Sequence, residues 1–414
     1  MLIPPLLREN ASFRRFWLGQ SVSLLGDQIT IIALPLAAVL ALDATPSQMG
    51  YLVAAELAPN LLFSLHAGAW ADRHAWKKRT LIWTDVGRAL LLASLPVAYA
   101  FDALTFPHML VVAFLIGSLA VLFQVSYSAL FVKLIARERY VEASSIMNGS
   151  RALSYVGGPS IGGVLVQVLS APAALVADAC SYVVSALFVR SVDVAEPEPE
   201  PAAKGHVVAG IRFVAGNPII RAALGATATI NFFNFVFFAL FILYATRSLD
   251  VEPGVLGLVL GAGAAGGVLG AVVTARVARR IGIGPAFALG CFLFPTPLLL
   301  VPAADGPMWV ILACLFAAEF GAGLGVMMLD ISASTIFAAV IPDRLRSRVS
   351  GAYMVVNYGV RPLGALAGGA LGTWIGLRET LWVATGGALL GVLWLLPSPH
   401  LGLRELPEAE ESAA

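Results

Sequence analysis

Nine ionisable residues interrupt stretches of this 414-residue chain that are otherwise apolar enough to cross a bilayer. Six are acids (Asp27, Glu56, Asp85, Asp178, Glu319, Asp330) and three are bases (Arg88, Arg151, Arg361). Three bases neutralise at most three acids. A charged carboxylate at the bilayer centre costs about 3 kcal/mol or more, so unpaired acids should bind a proton or face a wet cavity. Asp85 and Arg88 stand one helical turn apart and satisfy each other, which makes that pair structural. Asp27 and Glu56 have no base within a turn. At about 1.5 Å per residue they lie roughly 16 and 21 Å from the same end of the first and second spans, near one another in depth and close to the midplane. Pro59, one turn from Glu56, loosens its helix. These two acids are the candidate proton or cationic-substrate sites.

Other polar residues in apolar surroundings suggest what such a site would hold. Asn231, Asn234, Phe238 and Phe241 share one face at i, i+3, i+7 and i+10, and amides above aromatic rings suit a large amphipathic ligand. Phe232, Phe233 and Phe237 are expected to face lipid. Gln28 and Gln124 in the first half, and Asp330 in the second, add polar groups to the same candidate cavity. Glu319 and Arg361 are expected to pair there. Cys180, Cys291 and Cys314 lack metal-ligand spacing and read as buried packing thiols.

The elements that must position these groups are long helices. Apolar runs occupy 16–41, 49–71, 80–101, 107–131, 143–169, 172–190, 222–246, 254–277, 284–303, 308–338, 346–375 and 379–397. Basic residues cluster before the first run (Arg8, Arg14, Arg15) and after every second one: Arg73, Lys77, Lys78 and Arg79; Lys133, Arg137 and Arg139; Arg190, Lys204, Arg212 and Arg221; Arg276, Arg279 and Arg280; Arg344, Arg346 and Arg348. The opposite connections carry only Arg247 and Arg378. The positive-inside bias therefore predicts twelve spans with both termini in the cytoplasm. Composition agrees: 59% hydrophobic and 12% charged residues, with a mean hydropathy of +0.85, exclude a soluble globular class. The net charge of +1 is uninformative, because the two signs are segregated by side. The amino-terminal segment, with Arg8, Glu9, Arg14 and Arg15 before a long first run, does not read as a signal peptide.

The longest connection, 191–221, holds Glu196-Pro197-Glu198-Pro199-Glu200-Pro201, an extended charged linker by composition. Beyond it, Val207, Val208, Ile211 and Val214 fall at helical spacing opposite Arg212, as in a short helix lying on the inner membrane surface. The expected organisation is a bundle at 1–190, the linker at 191–221, a second bundle at 222–399 and a tail at 400–414. The halves repeat at an offset of 206 residues, which superposes Gly158 on Gly364, Gly162 on Gly368, Gly163 on Gly369 and Gln124 on Asp330. Two parallel six-helix repeats around a central cavity follow.

These features resemble the major facilitator superfamily over essentially the whole chain. The loop reading Gly68-Ala-Trp-Ala-Asp72-Arg73-His-Ala-Trp-Lys77-Lys78-Arg79 matches the family pattern at Gly68, Asp72, Arg73 and Lys77, with Ala75 where a second glycine is usual. The resemblance implies an all-α membrane protein of two pseudo-symmetric six-helix bundles, in which Asp72 clasps the cytoplasmic face when the outer side is open. The fifth span runs from Arg151 through Gly157-Gly158-Pro159-Ser-Ile-Gly162-Gly163, similar to the Gly-Pro-x-x-Gly-Gly signature of proton-linked antiporters. Its small residues permit close helix approach, and Pro159 bends the helix. Gly26-Asp27, residues 210–214 and Arg361-Pro362 resemble the branch of bacterial macrolide and siderophore exporters. An arginine usual in the fourth span of many drug exporters is missing.

Two enzyme-like patterns, Gly261-x-Gly263-x-x-Gly266 and Gly158-x-Ser160-x-Gly162, lie inside apolar spans without strand-turn-helix context and read as packing. None of Lys77, Lys78, Lys133 and Lys204 follows a glycine, so no phosphate-cradling loop for ATP exists. The expectation is a monomeric, proton-coupled secondary exporter of drugs or siderophores in a bacterial plasma membrane. Its partners are a small-molecule substrate, protons and the bilayer, with no nucleic acid, ATP, metal or other cofactor. A uniporter or importer of a small metabolite is the rival. A membrane-embedded lipid-modifying enzyme is remote, and a non-transporting sensor would need no midplane acid.

Overall fold

Hydrocarbon leaves a backbone N–H or C=O no partner but its own helix, and every apolar run of this sequence is helical. The computed structural model describes residues 4–73, 76–194 and 207–404; the side chains of 65–73, 207–211, 343, 344 and 347 lie outside the description. In chain order the helices are α1 (Pro5–Glu9), α2 (Ala11–Leu42), α3 (Pro46–Arg73), α4 (Lys77–Ala100), α5 (Phe106–Leu134), α6 (Tyr140–Val168) and α7 (Ala171–Arg190). There follow α8 (Val207–Gly216), α9 (Pro218–Arg247), α10 (Pro253–Ile281), α11 (Ile283–Leu293), α12 (Leu300–Ala303), α13 (Met308–Val340), α14 (Asp343–Trp374) and α15 (Leu377–Leu389). Eight helical runs among the described residues have the length and apolarity to cross a membrane: α2, α4, α5, α7, α9, α10, the Ile283–Ala303 run and α13. The others are more polar or shorter. Arginines crowd the first turns of α14, α3 and α6 carry Glu56 and Arg151, and α15 gives way to a 3-10 turn after 13 residues.

Two compact units emerge. One comprises the chain up to Ala203 together with Ala245–Gly261; the other comprises Lys204–Tyr244 together with Ala262 onward. Within the first, α2 is held between α6 and α7. A Cβ added at Gly162 would stand 3.0 Å from Ile29 Cα, and one at Gly158 only 2.3 Å from Gln28 Cβ. The second unit repeats this contact, with Gly364 and Gly368 of α14 pressed on the Phe232 and Val236 carbonyls of α9. The expected repeat is thus visible as packing, since the paired glycines do the same work in each half.

Helix ends repeat as well, in a different register. Asp43 after α2 and Asp250 after α9 adopt left-handed conformations at φ 50° and 53°. In each case the following amide closes the helix end by bonding six residues back, Ala44 N–H to Ala38 O and Val251 N–H to Ala245 O, both at 3.0 Å. A proline, Pro46 or Pro253, then opens the next helix. These residues match at 207 positions rather than 206, a one-residue slip along the first helix of each half.

Local expectations change in places. The Val207–Gly216 helix exists; of its apolar face Val214 is buried with Ile220, Ile341 and Val349, while the side chains of Val207, Val208 and Ile211 lie outside the described residues. Phe237 is buried too; it stacks on Phe241 at 5.3 Å, because the apolar face of α9 turns inward as well as outward. Cys180 is exposed, whereas Cys291 is buried. The Glu196–Pro201 linker segment lies outside the described residues.

Candidate functional site

In the first unit, Asp27 is the centre of a polar cluster. Its Oδ1 accepts a hydrogen bond of 2.6 Å from the Tyr182 hydroxyl, which reaches across from α7. The Arg88 guanidinium lies over the rings of Tyr182 and Phe123, 4.3 Å from each centroid. Asp85 is bound to Arg88 as its salt-bridge partner, fully buried, as expected for a structural pair. A neighbouring buried acid, Asp178, accepts from Thr30 at 2.5 Å and from Ser181 at 2.8 Å. A cavity of about 140 Å³ opens on this cluster, with Asp27, Arg88, Gln20, Gln124, Tyr127 and Arg151 among its lining residues. Its size holds several waters, and its walls offer both signs of charge.

Glu56 sits apart from that cavity wall. Its side chain is exposed and has no ion-pair partner among the described residues. Gln28 is buried and serves α6 packing at Gly158, which removes it from the cavity; Gln124 is exposed and does line it.

The second unit carries its own network. Asn231 of α9 donates to Asn357 Oδ1 at 3.1 Å and accepts from Arg361 Nε at 3.1 Å. Arg361 lies over Tyr358 at 4.3 Å and over Phe235 at 5.3 Å. One turn along α14, the Tyr353 hydroxyl bonds to Thr227 Oγ1 at 2.8 Å. The anticipated Glu319–Arg361 pair does not form. Glu319 instead faces α10 beside Gly263, and the acid within range of Arg361 is the exposed Asp330. Asn234 and Phe238 are half-buried, whereas Phe241 belongs to the packed core with Phe237.

Elsewhere the motif residues divide. Gly163 is packed against Pro253 and Gly257 of α10, where an added Cβ would come within 2.4 Å of the Pro253 carbonyl. Pro159 lies inside α6 and its carbonyl abuts Gly257. Gly263 and Gly266 of the dinucleotide-like pattern meet the backbone of α13, so that pattern is indeed packing. Lys77 is buried; the side chains of Gly68, Asp72 and Arg73 lie outside the description.

Sequence reasoning missed Tyr182, Tyr353 and Asn357. The signal was present as polar stripes: Asp178, Ser181, Tyr182 and Ser185 fall at i, i+3, i+4 and i+7 on α7, and Tyr353, Asn357 and Arg361 at i, i+4 and i+8 on α14. Reading the ionisable residues and the amides Gln28, Gln124, Asn231 and Asn234 left out the hydroxyls and Asn357.

Known proteins share this framework. The sequence pattern of the Major Facilitator Superfamily matches residues 16–365. The multidrug efflux pump Tap of Mycolicibacterium fortuitum is 27% identical over 395 residues, covering 89% of this chain and 91% of that protein. The staphyloferrin A transporter of Staphylococcus aureus is 26% identical over 321 residues, covering 75% and 77%. In fold, the crystal structure of the nucleoside transporter NupG superposes with a TM-score of 0.77 over 93% of this chain and 99% of that one, at 10% identity. With paired glycine contacts repeated between halves, charged clusters inside apolar helices and a family pattern spanning most of its length, this chain belongs to the major facilitator superfamily of membrane transporters.

Proposed function

We propose that the chain is a proton-coupled exporter of amphipathic compounds, drugs or siderophores, that works by alternating access. It would cross the bacterial plasma membrane twelve times, with both termini cytoplasmic, bundles at 1–190 and 222–399, and a monomeric working state. The observation that carries this reading is Asp27, an acid within an apolar helix, hydrogen-bonded by Tyr182 and open to a cavity shared with two arginines. Such a carboxylate has a reason to change protonation during a cycle, because the neutral and charged forms have different partners to hand. Similarity to an efflux pump and to a siderophore transporter supports the substrate class. Glu56 is the second coupling acid. Asn231, Asn234, Phe238, Asp330 and Arg361 would contact substrate in the second half, and Gly68, Asp72, Arg73 and Lys77 would form the cytoplasmic gate.

The test is transport in inverted membrane vesicles under an imposed pH gradient, with a fluorescent amphipathic cation as probe. Asp27→Asn keeps the shape of the side chain and removes its titration. Wild-type vesicles should accumulate the probe, and the variant, expressed at the same level, should lose gradient-driven accumulation while retaining probe binding. Equal pH-driven accumulation by both would sink the assignment of Asp27.

A further inference from the structure

At the basic end of the second unit, where the apolar run of α10 stops, lies a cavity of about 720 Å³. It is lined by Arg279, Arg280 and Arg404 together with Thr335, Ile281 and Gly282. The three guanidinium groups have no acidic partner among the described residues. One of them is delivered from the far end of the chain. The 399–404 segment is tied to the start of α11 by the Gly284 N–H, which donates to the Leu403 carbonyl at 3.0 Å, and this contact brings Arg404 beside the α10–α11 turn. Apolar surface adjoins the charge: Ile281, which lines the cavity, is 42% exposed, and Leu401, in the same 399–404 segment as Arg404, is 48% exposed.

The other unit builds a cavity at the corresponding place. About 450 Å³ in volume, it is lined by Lys78, Arg79 and Arg190 with Trp76, Ile82 and Val194. There too the start of a helix after a second span is fastened to the chain after a sixth, by Lys78 Nζ donating to the Val192 carbonyl at 2.6 Å. A feature that recurs in both repeats, with different residues supplying the charge, is more than an accident of one loop.

We infer that the Arg279–Arg280–Arg404 cavity binds the phosphate-bearing headgroup of an anionic phospholipid, with the acyl chains running down the lipid-facing side of α10. Arginine matches phosphate by charge and by its planar set of donors, and a basic residue near a membrane surface contributes about fivefold each to the binding of anionic lipid. A free phosphate would gain the same contacts. It would gain nothing from Ile281 and Leu401, which is why the lipid is favoured.

The experiment titrates the purified full chain in neutral detergent with short-chain phosphatidylglycerol, with phosphatidylcholine of the same chain length and with inorganic phosphate, counting bound molecules by native mass spectrometry. Saturable phosphatidylglycerol binding is expected, well above that of phosphatidylcholine, and inorganic phosphate should displace it only weakly. The variant with Arg279→Gln, Arg280→Gln and Arg404→Gln should lose more than tenfold in affinity, and each single change about fivefold. The single variants keep the comparison usable if the triple variant is poorly expressed. Unchanged phosphatidylglycerol binding in these variants overturns the proposal. Displacement by inorganic phosphate as readily as by the lipid makes this a free-anion site and overturns the lipid assignment. Binding that emerges only after Glu405, Glu408, Glu410 and Glu411 are changed to Gln marks the chain's own acids as the occupant and overturns it equally.

Discussion

A buried ion pair is weak evidence for stability and strong evidence for intolerance, because removing one member strands the other. Asp85 and Arg88 show why. Asp85 is fully buried, Arg88 is clasped by two aromatic rings, and Asp85 Oδ2 and Arg88 Nε already lack hydrogen-bond partners among the described residues. Arg88→Gln should therefore cost about 3–5 kcal/mol of stability, seen as a lowered melting temperature in detergent. Adding Asp85→Asn should recover part of the loss, since the Asp85 carboxylate is then no longer stranded. A single Arg88→Gln variant as thermostable as wild type would mean that the pair is not structural. What the sequence told of this pair was its i, i+3 spacing. It could not tell that Arg88 also fronts the Asp27 cavity, because α2, α4 and α7 meet only in three dimensions. Asp27 was legible as an acid without a local base, and Tyr182 was not, since a tyrosine in an apolar span is ordinary until its hydroxyl is seen to point at a carboxylate.

Elements in this chain are positioned by glycines more than by large side chains. On α6, Gly158 and Gly162 bring the helix to within contact of the α2 backbone, and Gly163 does the same towards α10. Gly162→Leu inserts four carbons where an added Cβ alone would stand 3.0 Å from Ile29 Cα, so the helices must separate. The variant should be expressed, because the hydrophobicity of the run is undiminished, and should transport at under a tenth of the wild-type rate. Wild-type transport by a well-expressed Gly162→Leu protein would exclude close α2–α6 contact as a requirement of the cycle; if expression fails, Gly162→Ala, which adds one carbon, gives the same comparison. The glycine spacing was readable from sequence. Which helix each glycine faces was not, as a small residue says only that something comes close.

The 399–404 segment adds a pH-dependent element. His400 is fully buried, its ring tilted against Phe287 at 5.5 Å between centroids, with Nδ1 bonded to Ser398 Oγ at 2.8 Å and Nε2 without a partner among the described residues. Burial pushes its ring from the usual 6.5 down to about 4, since the charged form cannot be solvated there. Once the segment is released, the ring takes up a proton at the higher value. Docking is therefore fully stabilised above pH 6.5 and is progressively lost as pH falls from 6.5 through 4. Hydrogen exchange at the Gly284 amide, corrected for its intrinsic pH dependence, should report the change: strong protection at pH 7.5, weaker protection at pH 5, and a flat response in His400→Phe. Equal protection of the wild type at both values would remove His400 as the cause. From sequence, His400 was one polar residue in a tail, and nothing local signalled a socket.

At the scale of the whole molecule, the distribution of charge reads further than any one site. Apolar runs predict the helices that the structure contains, and the alternation of basic clusters predicts a sidedness through the positive-inside bias. The repeat was legible as paired glycines, and the structure adds paired caps at Asp43 and Asp250 and paired buried serines at Ser126 and Ser332, the last at the same 206-residue offset as the glycines. The division into compact units was less legible: Ala245–Gly261 joins the first unit because α10 packs on α6, a contact between glycines far apart in sequence. Sidedness can be tested directly. In a chain with Cys180, Cys291 and Cys314 changed to Ser, single cysteines placed at Asp102 and Asp305 should react with a membrane-impermeant maleimide added to intact cells. Cysteines at Ser12, Glu138 and Asn217 should react only after permeabilisation. Asp102 and Asp305 probe one half each, so labelling of one and not the other would mean an odd number of crossings between them and opposite orientations for the two repeats. Labelling of Ser12 in intact cells, with Asp102 protected, would invert the chain and place the arginine-rich face, and with it the lipid site at Arg279, Arg280 and Arg404, outside.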